Sequence, residues 1–131
     1  MSRLLHNICI GGLVAIGLAG DTRQTTVQGV LIDKECSWKA ETRVVPGPRL
    51  EGGVLEAYTH PRLCALMPAC QRSGYGVFTY DTYKFVPFDD TGNQKALALF
   101  KQSRKEDDFR VEVTGTMQGD VLKVASIKLL P

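Results

Sequence analysis

The sequence predicts an all-β domain with one helix, and three observations carry that prediction. Five segments of the 131-residue chain have the β-branched, partly alternating content of strands. One helix-patterned segment falls between the third and the fourth of them. Turn residues stand at the junctions, most clearly Gln118-Gly119-Asp120 between the last two strands. The order β-β-β-α-β-β is that of an OB-fold, a five-stranded Greek-key barrel, here with a long irregular insertion after strand 1.

The elements follow in chain order. The first strand is expected over Thr26 to Lys34, with Gly29 marking a bulge or sharp bend. Residues 35 to 59 read as irregular, because Pro46-Gly47-Pro48 and Gly52-Gly53 break regular structure; a short helical turn is expected near Leu55 to Tyr58, and Trp38 reads as a loop anchor. Gly74 to Tyr80 and Tyr83 to Phe88 are expected to pair as a hairpin about Asp81-Thr82. Pro87 lacks an N–H and belongs at a strand end or an edge. Asp89, Asp90, Thr91 and Asn93 are candidate caps for a helix over Gln94 to Ser103, whose Leu97 and Phe100 are three apart. Arg110 to Met117 and Val121 to Leu129 form the closing hairpin. The predicted core is Val27, Leu31, Val77, Phe85, Leu97, Phe100, Val111, Val113, Val124 and Ile127.

The chain is long enough for one domain and too short for two. Lys and Arg number 16 against 14 Asp and Glu, an excess too small to mark a nucleic-acid or membrane-surface footprint. Tyr75, Phe78, Tyr80, Tyr83 and Phe85 on the central hairpin are therefore read as packing rather than as a base-stacking platform, and no nucleic acid is expected.

Residues 1–20 differ from the rest. Arg3 opens a short polar start, Ile8 to Gly20 carries no charge, and Gly17 and Ala19 are the small residues that a signal peptidase requires. A cleaved signal peptide over 1–20 and a single mature domain over 21–131 are expected, with export to the periplasm or the medium. The apolar run is shorter than the ~18–20 residues of a membrane span, so no stable span is expected.

Val27-Gln-Gly-Val-Leu-Ile-Asp33 with Cys36, the segment Cys64 to Gly76, and Val113 to Ile127 together resemble a group of small exported bacterial proteins with an OB-like domain and a few cysteines. The resemblance covers most of residues 26–129. It implies the fold and the address, and it carries over no catalytic residue.

Of the four cysteines, Cys9 would leave with the signal and Cys36, Cys64 and Cys70 would remain. In an oxidising compartment one disulfide is expected, Cys36 with Cys64, or with Cys70 as the alternative partner. It would close a loop of roughly 29 residues, worth about 3–4 kcal/mol in the chain-entropy treatment. The stretch His60-Pro-Arg-Leu-Cys64-Ala-Leu-Met67-Pro-Ala-Cys70 also carries soft donors. In a helix, His60, Cys64 and Met67 would stack on one face, with Cys70 on its flank. Pro68 would break or kink that helix near Leu66 to Met67, either spoiling the alignment or folding Cys70 back toward Cys64. Without a metal, Met67 would fill a core gap and His60 would cap or lie at the surface.

Three function classes follow. The leading one is an exported, non-enzymatic binding or accessory domain with no cofactor, stapled by the disulfide, whose partner would be an envelope protein. The second is a soft-metal protein: zinc through Cys36, His60, Cys64 and Cys70, or copper with Met67 added. The third is a thiol–disulfide active protein, although no Cys-x-x-Cys is present.

Overall fold

The computed structural model describes residues 23–42 and 57–131. The signal-peptide reading of residues 1–20, Cys9, Pro46-Gly47-Pro48 and Gly52-Gly53 lie outside the described residues. Among those described, no helix is long and apolar enough to cross a membrane.

Five strands form one antiparallel sheet: β1 (Thr25–Asp33), β2 (Tyr75–Thr79), β3 (Phe85–Pro87), β4 (Arg110–Gln118) and β5 (Val121–Leu129), in the order β3-β2-β1-β4-β5. Among the described residues the helices α1 (Lys34–Thr42), α2 (Arg62–Ala65), α3 (Pro68–Ser73) and α4 (Asp90–Gln102) accompany them. The first strand is central because its two halves find different partners: Gly29 to Asp33 pair with β2, and Thr25 to Val30 pair with β4. A single parallel bridge, Phe88 to Leu122, links the end of β3 to β5.

The strands obey the period of two, and this produces two apolar clusters. Leu31, Val77, Val111 and Val113 point to one face, where they pack with Phe100, Phe109, Leu122 and Val124. Helix α4 covers this face. The Phe100 ring lies 5.3 Å from Tyr75 and meets Phe109 edge-on at 4.8 Å. Val30, Ile32 and Phe78 point the other way and are covered by Ala40 of α1 and by Ala57. Of the predicted core, Val27, Leu97 and Ile127 pack at the margin of the first cluster, and Phe85 packs against the second.

Several expectations are corrected. The chain has more than one helix: residues 35–42, the first eight of the supposed irregular insertion, are helical, together with Lys34, which was expected in the first strand. Trp38 lies on this helix and is 56% exposed. Gly29 is no bulge, since its pairing is in register on both sides. A Cβ there would collide with the Phe78 carbonyl oxygen and Val77, so glycine is required for close approach of β1 to β2. The irregularity lies instead at Thr114/Gly115 in the β4–β5 ladder, where Ala125 is the extra residue. The β2–β3 turn is wider than Asp81-Thr82 alone: the Thr79 N–H donates to Lys84 O (3.0 Å) and the Tyr83 N–H to Thr79 O (3.1 Å). Tyr83 takes the positive φ of 53° that such a turn demands.

The remaining junctions behave as their residues dictate. Asp89 caps α4, its Oδ1 accepting from the Gly92 N–H at 2.9 Å, so the helix starts four residues before the apolar pattern does. The same oxygen accepts from the Val124 N–H at 3.1 Å, and the Asp89 N–H donates to Leu122 O at 3.1 Å. Gly119, at φ 60°, makes the β4–β5 turn. Pro87 sits in β3, an edge strand, where no further donor is needed.

Candidate metal centre

The centre is assembled where β1 runs into α1. Asp33 is the last residue of the strand and is fully buried. Its Oδ1 accepts from the Cys36 N–H at 2.9 Å, the contact of a helix N-cap to the third residue of the helix. This cap explains why helix starts at Lys34 despite a weakly amphipathic sequence. It also fixes Cys36 on the first turn, facing the residues that arrive from 60 to 70.

That second segment folds in two short pieces. The Ala65 and Leu66 N–H groups bond to Pro61 O and Arg62 O, and the Met67 N–H closes on Cys64 O at 3.0 Å. Helix α2 must stop there, because Pro68 excludes the helical conformation from the residue before it. Met67 takes ψ 144°, and Pro68 opens α3 as its first residue. Gln71 Nε2 then donates to the exposed end of α2 at Leu66 O (2.7 Å). The continuous helix considered from sequence is thus replaced by a break, and the break folds Cys70 back toward Cys64. It also turns Met67 outward: 54% exposed, it fills no core gap.

Two groups of donors result. Cys36, Cys64 and Cys70 have their sulfurs within 4.8 Å of one another, and Asp33, Cys36 and His60 form a second group within the same limit. Cys36 belongs to both. All three cysteines are free thiols, and the Cys36 and Cys64 sulfurs are 3.9 Å apart, well beyond a bond of about 2.05 Å. Cys70 is buried, whereas Cys36 and Cys64 are each partly exposed.

His60 is not at the surface. Its side chain is 8% exposed and its Nε2 approaches Asp33 Oδ2 at 3.0 Å. The approach is close but out of line, and neither atom completes a hydrogen bond; His60 Nδ1 is buried without a partner as well. The Nε2–Oδ2 pair is a close ionic contact, so His60 Nδ1 is the atom left without a partner, and a buried polar atom in that position costs about 1–3 kcal/mol.

The electrostatics are those of a charge-poor cluster around one carboxylate. Burial alone would raise the Asp33 pKa, but contacts from His60, the Cys36 N–H and Cys70 outweigh it and hold the carboxyl below its usual range. Burial, reinforced by Asp33 and the neighbouring thiols, pushes Cys36 far up and Cys70 up to about 11. Tyr75, whose hydroxyl donates to Ala65 O at 2.6 Å, is pushed up to about 12 by burial and by the same carboxylate. Protonated thiols are the reverse of what an activated cysteine nucleophile requires.

Of the residues singled out from sequence, Cys36, Cys64 and Cys70 come together, His60 joins Cys36 in the adjoining group, and Met67 is turned outward. Asp33 was missed. Its signal was present: an Asp at a strand end, three residues before a cysteine, is an N-cap pattern. Tyr80 of the central hairpin meets Tyr58 at 6.2 Å in a tilted arrangement, and its Oη donates to Gly29 O at 3.3 Å, so this ring is engaged in packing. Compared with family models, with curated proteins and with solved structures, the chain matches none.

Proposed function

We propose that this chain is a metal-binding protein, holding a zinc-like divalent ion through Cys36, Cys64, Cys70 and His60 with Asp33 behind them. The observation that carries the reading is the convergence of three thiols within 4.8 Å. Two sulfurs each ~2.3 Å from one tetrahedral zinc lie about 3.8 Å apart. The Cys36–Cys64 separation of 3.9 Å matches that span. The partnerless His60 Nδ1 would supply the fourth donor, with Asp33 at Nε2 as the carboxylate that commonly orients a ligating imidazole. His60 shares its donor group with Cys36 and Asp33 rather than with Cys64 and Cys70, so in this reading the imidazole turns on binding to complete the set.

Charge favours a divalent ion over copper(I). Three thiolates and Asp33 put four negative charges into a buried space, and a monovalent ion would leave more of that charge uncompensated. The outward turn of Met67 also removes the thioether that the copper reading relied on. Binding must displace the protons of Cys36 and Cys70, so affinity rises with pH.

The frame belongs to the same proposal. The sheet order with a parallel Phe88–Leu122 bridge and α4 between β3 and β4 supports an OB-type barrel. The role we assign is metal binding or handling by an exported, non-enzymatic domain.

Reduced full-length protein loaded with zinc or cobalt(II) tests this. Elemental analysis is expected to give about one ion per chain, and cobalt to give the intense near-ultraviolet thiolate band. Cys70→Ser should weaken binding at least about 100-fold, because it removes the buried thiolate. Zinc retained at the level of a cysteine-free control, with no cobalt–thiolate band, would refute the reading.

A further inference from the structure

The three cysteines are not equivalent in access. Cys36 and Cys64 are partly exposed and line a cavity of about 130 Å³ together with Thr59, His60 and Pro61. Cys70 is 4% exposed and does not line it. The two accessible sulfurs are the pair already side by side at 3.9 Å. One of them stands on the first turn of α1 and the other on the four-residue α2. Closing to a bond needs a shift of about 1.9 Å, within the reach of side-chain rotation and a small adjustment of so short a helix.

We infer that Cys36 and Cys64 form a reversible dithiol, whose oxidation by a small external disulfide empties the metal centre and leaves Cys70 a thiol. The inference rests on the metal reading above and adds its regulation. A reagent that enters the cavity meets Cys36 or Cys64 first. One sulfur attacks the reagent disulfide, forming a mixed disulfide and releasing one small thiol. The neighbouring protein sulfur then attacks the mixed disulfide and releases the second. From the metal-free protein, two thiols and one reagent disulfide give one protein disulfide and two small thiols. From the zinc form, two bound thiolates lose two electrons to the reagent, two protons are taken up by the leaving thiolates, and the ion departs. Neither sulfur of a disulfide is an anionic ligand, so Cys70 and His60 alone remain. Metal and disulfide are therefore alternative occupants of one cluster.

The experiment uses the full chain, reduced and zinc-loaded, incubated to equilibrium with 2-hydroxyethyl disulfide at neutral pH. Zinc release is followed with a chromogenic chelator, and pairing is read by non-reducing peptide mapping on the same sample. The expected result is about one zinc released per Cys36–Cys64 bridge, reversed by a dithiol reductant. A bridge that includes Cys70, or a bridged protein that keeps its zinc, overturns the inference while leaving the metal reading intact. A reduced protein that takes up no zinc overturns the metal reading instead. The dithiol is then judged by pairing alone: a Cys36–Cys64 bridge upholds it, and any other pairing, or none, overturns it.

Discussion

Replacing Asp33 separates its two jobs. In Asp33→Asn the side-chain oxygen still accepts from the Cys36 N–H, because asparagine caps helices as well as aspartate. What is lost is the charge facing His60 Nε2 at 3.0 Å. The contact is close but not an aligned hydrogen bond, so its loss should cost less than the roughly 1.5–3 kcal/mol of a hydrogen bond to a charged group, about 1 kcal/mol. Asp33→Ala loses the cap as well, about 1 kcal/mol more. Zinc affinity should fall about 10–100-fold in both variants, the usual cost of removing a carboxylate behind a ligating imidazole. Urea denaturation of the metal-free proteins measures the first two quantities, and chelator competition measures the third. The pH dependence has a definite sign. Asp33 is held below 3.8 in the fold, so its contribution is complete above that value and is lost as pH falls through the folded pKa. Asparagine has no such dependence. If Asp33→Asn binds zinc within about twofold of the parent protein, the carboxylate is only a helix cap and the reasoning about His60 fails.

Other perturbations probe the rest of the structure. Cys70, at about 11 against an ordinary 9.0, should stabilise the metal-free fold fully below pH 9 and lose that contribution as pH climbs from 9 toward 11; denaturation midpoints across that range in the parent and Cys70→Ser should converge. Gly29→Ala should destabilise by about 1–3 kcal/mol or more through collision with the Phe78 carbonyl, and wild-type thermal stability would contradict the close approach. Phe100→Ala, which empties the ring site between Tyr75 and Phe109, should cost about 3–5 kcal/mol in the same assay. Met67→Leu should leave zinc affinity within about twofold; a loss of about tenfold or more would return the thioether to the ligand set.

What was legible in the sequence, and what was not, follows from how locally each element is determined. The closing hairpin was legible because Val111 and Val113 alternate with polar residues and Gly119 supplies the positive φ. Strand β1 was legible by content, but residues 29–33 are buried without alternation, since α1 covers the second face. Helix α1 was not, because it owes its place to contacts distant in sequence. Among its described side chains only Ser37 and Ala40 are buried. The Glu35 N–H finds Ser73 Oγ at 3.2 Å, and Glu41 Oε1 accepts from the Phe85 N–H at 2.8 Å. The donors Cys36, His60, Cys64 and Cys70 were identifiable by residue type, but their convergence depends on the break at Met67-Pro68. Asp33 escaped because a charged residue at a strand end ordinarily reads as the start of a loop.

The attachment of Asp89 to β5 bears on how the molecule behaves in a crowd of its own copies. A sheet edge normally offers a row of unused amides and carbonyls onto which a second molecule can add a strand. Here the Val124 amide and the Leu122 carbonyl are already occupied by Asp89. On the opposite flank, β3 is three residues long and ends in a proline. β5 is thus blocked at Leu122 and Val124 by the backbone and carboxylate of Asp89, and β3 by its shortness and a missing donor. A second strand adding to β5 would have to displace Asp89 from Leu122 and Val124, and one adding to β3 would find only three residues to pair with.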